Sequence, residues 1–227
     1  MHLNVLFVMA LLCQWVYDPT GRPLPSGVVA VHHTADRFAV VSVEELGCVV
    51  VHRGTDSMRD ILRDIQAEVD AGVHCHQHYL RAFKESLSEF RAEQDAVMED
   101  LLVRGVCSSF MVTGHSLGGA TATITHGTDE RVTNSFTFGA PRTCCGDNTA
   151  LSGHLRVVNG DVSTAKHDPV PAFPRGKMHH CGWALATVGD RGLEQEIGAQ
   201  TMVLPAEGTP ALLGMHHIDV YVKRLEL

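Results

Sequence analysis

Three runs near the start of the chain, GVVAVHH, RFAVVSV and GCVVVHR, are short, β-branched and apolar almost throughout. Such runs predict strands, and the turn-like EELG between the second and third predicts a hairpin leading into a central strand. After HRGTDS the period changes. Met58, Ile61, Leu62 and Ile65 recur at helical spacing with Arg59, Asp60, Arg63 and Asp64 between them, an amphipathic helix with Asp56 or Ser57 placed to cap it. Residues 79–103, YLRAFKESLSEFRAEQDAVMEDLLV, predict another long helix, broken by RGVCSS before the strand FMVTG. SFTFGAP and HLRVVNG read as further strands. Strands alternating with helical stretches predict an α/β fold with a mostly parallel central sheet flanked by helices. No internal repeat interrupts the 227 residues, which read as one domain over 1–227.

Composition narrows the classes of function. Eighteen Lys and Arg against 26 Asp and Glu give a formal charge of −8, which repels phosphate backbones and argues against nucleic acid as a partner. No apolar run reaches the roughly 18 to 20 residues of a membrane-crossing helix, so the expected protein is soluble. The longest, LNVLFVMALLC, has the length of a signal-peptide core, but no Lys or Arg precedes it and QWVYDP offers no small-residue cleavage site. Residues 1–15 therefore read as an N-terminal helix packed on the core in preference to a weak signal-like segment. Seven cysteines (Cys13, Cys48, Cys75, Cys107, Cys144, Cys145, Cys181) make an odd number, and Cys48 and Cys107 lie in or beside apolar runs. The expectation is a poor disulfide framework and, by a small margin, an intracellular, reducing compartment.

The chemistry concentrates at FMVTGHSLGGATATI, residues 110–124. Gly114-His115-Ser116-Leu117-Gly118 fits G-x-S-x-G, a pattern that is weak by itself in a chain with 21 glycines. Its setting strengthens it: an apolar strand enters and a helix-compatible segment leaves, the strand-turn-helix of a nucleophile elbow. Such a bend lifts the Ser116 hydroxyl above the sheet edge, at a helix N-terminus whose amides favour negative charge. The amide of Leu117 is one expected oxyanion donor, and Thr55, at the end of VVVHRGTDS, is the second.

VVVHRGTDS, VTGHSLGGATAT, SFTFGAPR, RVVNG, DPVPAFP and HHIDVYV occur in an order, and at separations, that resemble the class 3 lipases, the fungal-type triacylglycerol lipase family, over roughly residues 38–221. The resemblance implies an α/β-hydrolase fold, a Ser-Asp-His triad and hydrolysis of lipid esters without metal or organic cofactor. Chain order Ser, Asp, His agrees with that fold. Asp168 directly precedes the hydrophobic-Pro segment as the family acid does, so it is favoured over Asp161, although DVSTAKH looks like an insertion that carries it away from the strand. Matching Tyr221 to the family tyrosine selects His216 as the base over His217. His115 is expected to point away from the serine and support the elbow, and His180 to make a structural hydrogen bond.

Other features depart from the family pattern. The helix over 57–67 stands where the family has its lid, with a fixed helix as the equal alternative. HCHQH places His74, His76 and His78 for convergence if the segment is one strand, a metal reading set below that of a solvated or cleft-lining cluster. His78 replaces a family glycine, and His52 a family phenylalanine. Cys144-Cys145 read as two loop thiols without function. The reading is a serine hydrolase cleaving carboxylic ester bonds of lipids, with a lipid-water interface as a place where it would meet them. A phospholipase or galactolipase with the same triad is the competing enzyme, and an inactive lipid-binding scaffold the non-enzyme alternative.

Overall fold

The opening apolar runs form an antiparallel meander of β1 (Val28–Thr34), β2 (Phe38–Val43) and β3 (Gly47–His52). This is seen in a computed structural model that describes residues 5–55, 65–66, 69–70, 72, 75–76, 78–145, 151–161, 166–175, 178–181, 184–189, 192–197 and 216–226. A short pair, β4 (Cys75–His76) and β5 (Tyr79–Leu80), follows, then helices α2 (Arg81–Ser88) and α3 (Arg91–Val103). Next come β6 (Phe110–His115), α4 (Leu117–Thr128), β7 (Val132–Phe138), β8 (His154–Asp161) and β9 (Lys166–His167). A single 3-10 turn (Val170–Ala172), the hairpin β10 (Ala184–Gly189) with β11 (Gly192–Ile197), and α5 (Ile218–Leu225) complete the described chain. The first helix, α1 (Val5–Trp15), precedes them all.

The sheet order is β1-β2-β3-β6-β7-β8-β10-β11, with β9 paired to β8. β3, β6, β7, β8 and β10 run parallel, and antiparallel strands close both edges. Helices cover both faces, which is why the central strands lack a polar side. Along β3, Cys48 and Val50 join the core beneath α2, α3 and α4, while Val49 and Val51 join the core beneath α1 and α5. The N-terminal run is thus an element of the fold: Met9, Ala10, Leu12 and Cys13 of α1 are fully buried against α5 and the sheet. No helix among the described residues is long and apolar enough to cross a membrane.

The helix expected over 79–103 is two helices preceded by a β pair. Phe90 breaks it at φ −129°, ψ 0°, turning its ring into the core to stack on Phe38 at 5.7 Å. Burial of one aromatic outweighs the continuity that periodicity favours. Of the 57–67 helix, only Ile65 and Gln66 are described; Ile65 is buried in the core, and Met58, Ile61 and Leu62 lie outside the described residues, as does His74.

The cysteine expectation is corrected. Cys48–Cys107, Cys75–Cys145 and Cys144–Cys181 are disulfides, and the seventh cysteine, Cys13, is a buried thiol beside the Thr113 hydroxyl. Burial raises the Cys13 pKa to about 12, so it stays protonated. The partners are 59, 70 and 37 residues apart, contacts that local spacing does not display. The vicinal pair Cys144-Cys145 therefore ties one loop to two different segments. With its sulfur in a disulfide, Cys75 offers no thiolate to a metal. His78 sits in a turn at φ 71°, a conformation in which glycine is at ease.

Candidate active site

The elbow forms because β6 runs straight into α4 with one residue between them. Ser116 occupies that position at φ 63°, ψ −127°, a strained conformation for a residue with a Cβ. Its N–H donates to the Phe138 carbonyl at the end of β7 (2.9 Å), and its carbonyl accepts from Gly119 and Ala120 in the first turn of α4 (2.9 and 3.2 Å). Glycines make the closeness possible. A Cβ on Gly114 would strike the backbone of Gly118, and one on Gly118 would strike the backbone of His52 and Arg53. The segment leaving β3 therefore lies directly on the elbow, with the Gly54 Cα side facing Ser116 Cβ, and Thr55 follows it. The N–H of Leu117, first residue of α4, is among those a helix cannot satisfy itself.

Asp168 and His216 meet although 48 residues separate them: Nδ1 of His216 donates to Oδ2 of Asp168 at 2.7 Å. The carboxylate is completely buried and fully engaged. Oδ1 accepts the Val170 N–H (2.9 Å), and Oδ2 also accepts the Tyr221 hydroxyl (2.6 Å), which in turn accepts the Asn159 N–H (3.1 Å). Burial, reinforced by the Asp168 charge and hydrogen bond, holds the Tyr221 pKa well above the ordinary phenol value, so it remains a donor. Asp161 sits earlier, on β8, opposite Lys166 of β9. The insertion does not carry Asp168 away from the strand. It folds back as the β8–β9 pair, Gly160 opposite His167, and the Asp168 N–H bonds to the Asn159 carbonyl at 2.7 Å, at the end of the strand.

His115 links the elbow to His216. Its Nε2 lies 2.6 Å from the His216 carbonyl, which only accepts, so Nε2 carries the proton and Nδ1 accepts from the Tyr17 hydroxyl (3.0 Å). The His115 and His216 rings lie 4.6 Å apart between centroids. Burial, then the neighbouring His216, holds the His115 pKa well below the usual imidazole value, so it is a neutral support. His180 Nε2 bonds to the Pro171 carbonyl at 2.7 Å, the structural role expected. His217 is exposed at the start of α5, away from the carboxylate bond.

Two buried atoms stand out: Ser116 Oγ and His216 Nε2 have no hydrogen-bond partner among the described residues. With Nδ1 committed to Asp168, Nε2 of a neutral ring is the basic nitrogen. A hydroxyl beside a strained turn, an imidazole oriented through its other nitrogen and helix-terminal amides are what acyl transfer through a serine requires. Sequence reasoning used Tyr221 only to fix the register of His216 and missed its bond to the acid. It also missed Gly139, at φ 57°, where a Cβ would lie 2.5 Å from Asp168 Oδ2 and 3.0 Å from His216 Cε1. Both lie within motifs, SFTFGAPR and HHIDVYV, but only the folded contacts show what each one touches.

Solved lipase structures share this fold. Lipase II from Rhizopus niveus superposes with a TM-score of 0.64 at 18% identity, over 92% of this chain and 90% of that one. Lip2 lipase from Yarrowia lipolytica gives 0.60 at 15% identity, over 94% and 91%, and the Rhizomucor miehei triacylglyceride lipase 0.56 at 15%, over 93% and 89%. These likenesses establish the α/β-hydrolase fold. No curated protein matches the sequence. The family model for lipase (class 3) matches residues 49–178, from β3 through the elbow to the segment after Asp168. With more than half of the 227 residues inside that match, the chain belongs to the class 3 lipase family and is a carboxylic ester hydrolase acting on lipid esters.

Proposed function

We propose that Ser116 is the nucleophile of this hydrolase, His216 its general base and Asp168 the carboxylate that orients the base, with the N–H groups of Thr55 and Leu117 as oxyanion donors. The observation that carries the reading is the 2.7 Å bond from His216 Nδ1 to a wholly buried Asp168, together with the unpartnered Nε2 and the unpartnered Ser116 hydroxyl. In this mechanism Ser116 Oγ attacks the ester carbonyl carbon as its proton passes to His216 Nε2. The carbonyl π electrons move to oxygen, and the oxyanion is held by the two amides. Collapse expels the alcohol, which takes the proton from Nε2, and leaves an acyl-serine. Water then repeats the sequence, releasing the fatty acid and restoring the serine.

The chain works as one domain, and in an oxidising compartment, since six of its seven cysteines are paired. Its substrates are acylglycerols met at a lipid-water interface. The test is a panel of short-chain esters, emulsified triglyceride and phospholipid given to wild type and Ser116→Ala. Wild-type hydrolysis led by the acylglycerols and abolished in the variant supports the reading. Preferred turnover of phospholipid would move the substrate to the competing phospholipase class, and undiminished hydrolysis by Ser116→Ala would refute the nucleophile.

A further inference from the structure

Beneath the elbow lies a buried polar cluster centred on one imidazole. His52, the last residue of β3, pairs with Gly114 of β6 and is completely buried. Its Nδ1 lies 3.0 Å from the Thr121 hydroxyl of α4 and its Nε2 lies 2.7 Å from Oε1 of Gln94 in α3, itself fully buried. The ring meets Phe90 edge-on, with centroids 5.2 Å apart. Three elements are thus pinned at one imidazole. The Thr121 hydroxyl also lies 3.1 Å from the Gly118 carbonyl and 3.4 Å from that of Leu117, so its single proton serves either the imidazole or the first turn of α4. Burial pushes the His52 pKa down to about 3, which keeps the ring neutral at any ordinary assay pH.

A buried imidazole is an expensive way to fill space that an aromatic hydrocarbon ring would fill, unless its bonds fix something. What lies on either side of this one indicates what is fixed. The backbone of His52, Arg53 and Gly54 rests on Gly118, and Gly54 on Ser116, so the end of β3 and the first turn of α4 touch where the two halves of the oxyanion hole converge. The side-chain bond from His52 to Thr121 ties the same two segments together from below.

From this geometry we infer that His52 is a positioning residue for the oxyanion hole, holding the chain end that carries Thr55 in register with the helix turn that carries Leu117; this rests on the two donors proposed above. His52 touches no substrate and acts through Thr121. A shift of the order of 1 Å in a transition-state donor costs roughly a hundredfold in rate, whereas substrate binding is little affected.

The test is kinetics on a soluble short-chain ester, with active sites counted by a serine-directed phosphonate so that misfolded protein is excluded. Glutamine at 52 retains a polar atom near the Nε2 position and loses the arm to Thr121; asparagine retains the Nδ1 position. His52→Gln and the near-isosteric Thr121→Val are expected to lower kcat per titrated site roughly ten- to a hundredfold with little change in KM. His52→Asn and Thr121→Ser are expected to stay near wild type, and the His52→Gln/Thr121→Val double variant to be no worse than either single one. Wild-type kcat per titrated site in His52→Gln and Thr121→Val would overturn the proposal, leaving the triad intact. Ester hydrolysis by wild type without titration of Ser116 would overturn the triad, and this inference with it.

Discussion

At Asp168 both carboxylate oxygens are engaged: His216 and Tyr221 share Oδ2 and the Val170 amide holds Oδ1. An orienting group needs its charge as well as its shape, because the imidazole becomes cationic during attack. Asp168→Asn is therefore expected to lower kcat about 10³- to 10⁴-fold with KM little changed, and Asp161→Asn to leave turnover near wild type. Steady-state kinetics of the two variants checks this, and the reverse order would transfer the orienting role to Asp161. Tyr221→Phe removes one charge-assisted bond to Asp168 and one acceptor of the Asn159 N–H, so urea denaturation is expected to show a loss of about 2 kcal/mol. An unchanged stability would mean that water replaces the hydroxyl. The contact between Asp168 and His216 was anticipated because each of these residues, like Ser116, sits in a short motif whose chemistry asks for that residue type. Tyr17 and Gly139 were not, since their importance lies wholly in what the fold brings to them.

Among the elements, the loop leaving β7 is closely constrained by what it touches. Gly139 adopts φ 57°, and any Cβ there would press on Asp168, Tyr221 and His216 together. Gly139→Ala is expected to destabilise the protein by about 1–2 kcal/mol from backbone strain and to cut kcat about a hundredfold by displacing the acid–base pair. Thermal melts and kcat per labelled serine read the two effects separately; a wild-type kcat would show that the pair tolerates the push. Strand and helix positions followed the periodicity closely for β1 to β3, β6, α4 and β7. Periodicity failed over 79–103 because apolar spacing continues through Phe90 while the backbone turns there to bury that ring. It was silent on the β8–β9 hairpin, whose pairing returns Asp168 to the strand end that the inserted residues had obscured.

For the whole molecule, cysteine pairing and buried histidines dominate solution behaviour. Three disulfides and one inaccessible thiol predict a single reactive thiol per chain in denaturant without reductant, none in the native state, and seven after reduction. Several thiols before reduction would restore the reducing-compartment reading that the odd cysteine count suggested. Parity misled because the unpaired residue, Cys13, serves as core in α1. Burial holds His52 and His154 at pKa values of about 3 and His115 well below its usual value. All three are lowered, so the unfolded chain takes up protons first as pH falls through about 6.5. Stability is present in full above that pH and is lost below it, each group contributing about 1.4 kcal/mol per pH unit until its folded pKa is reached. Denaturation midpoints between pH 7 and 4 are expected to fall steeply, and a flat profile would show that these rings are hydrated in the folded state.

The account stands on the identity of one nucleophile, and the most direct measurement of it is the site of covalent capture. Wild-type protein treated with a lipid-like phosphonate, digested and mapped by mass spectrometry, is expected to carry one adduct per chain on Ser116, with ester hydrolysis lost in proportion and Ser116→Ala unmodified. An adduct on another residue, or full hydrolytic activity with Ser116 unmodified, would contradict it.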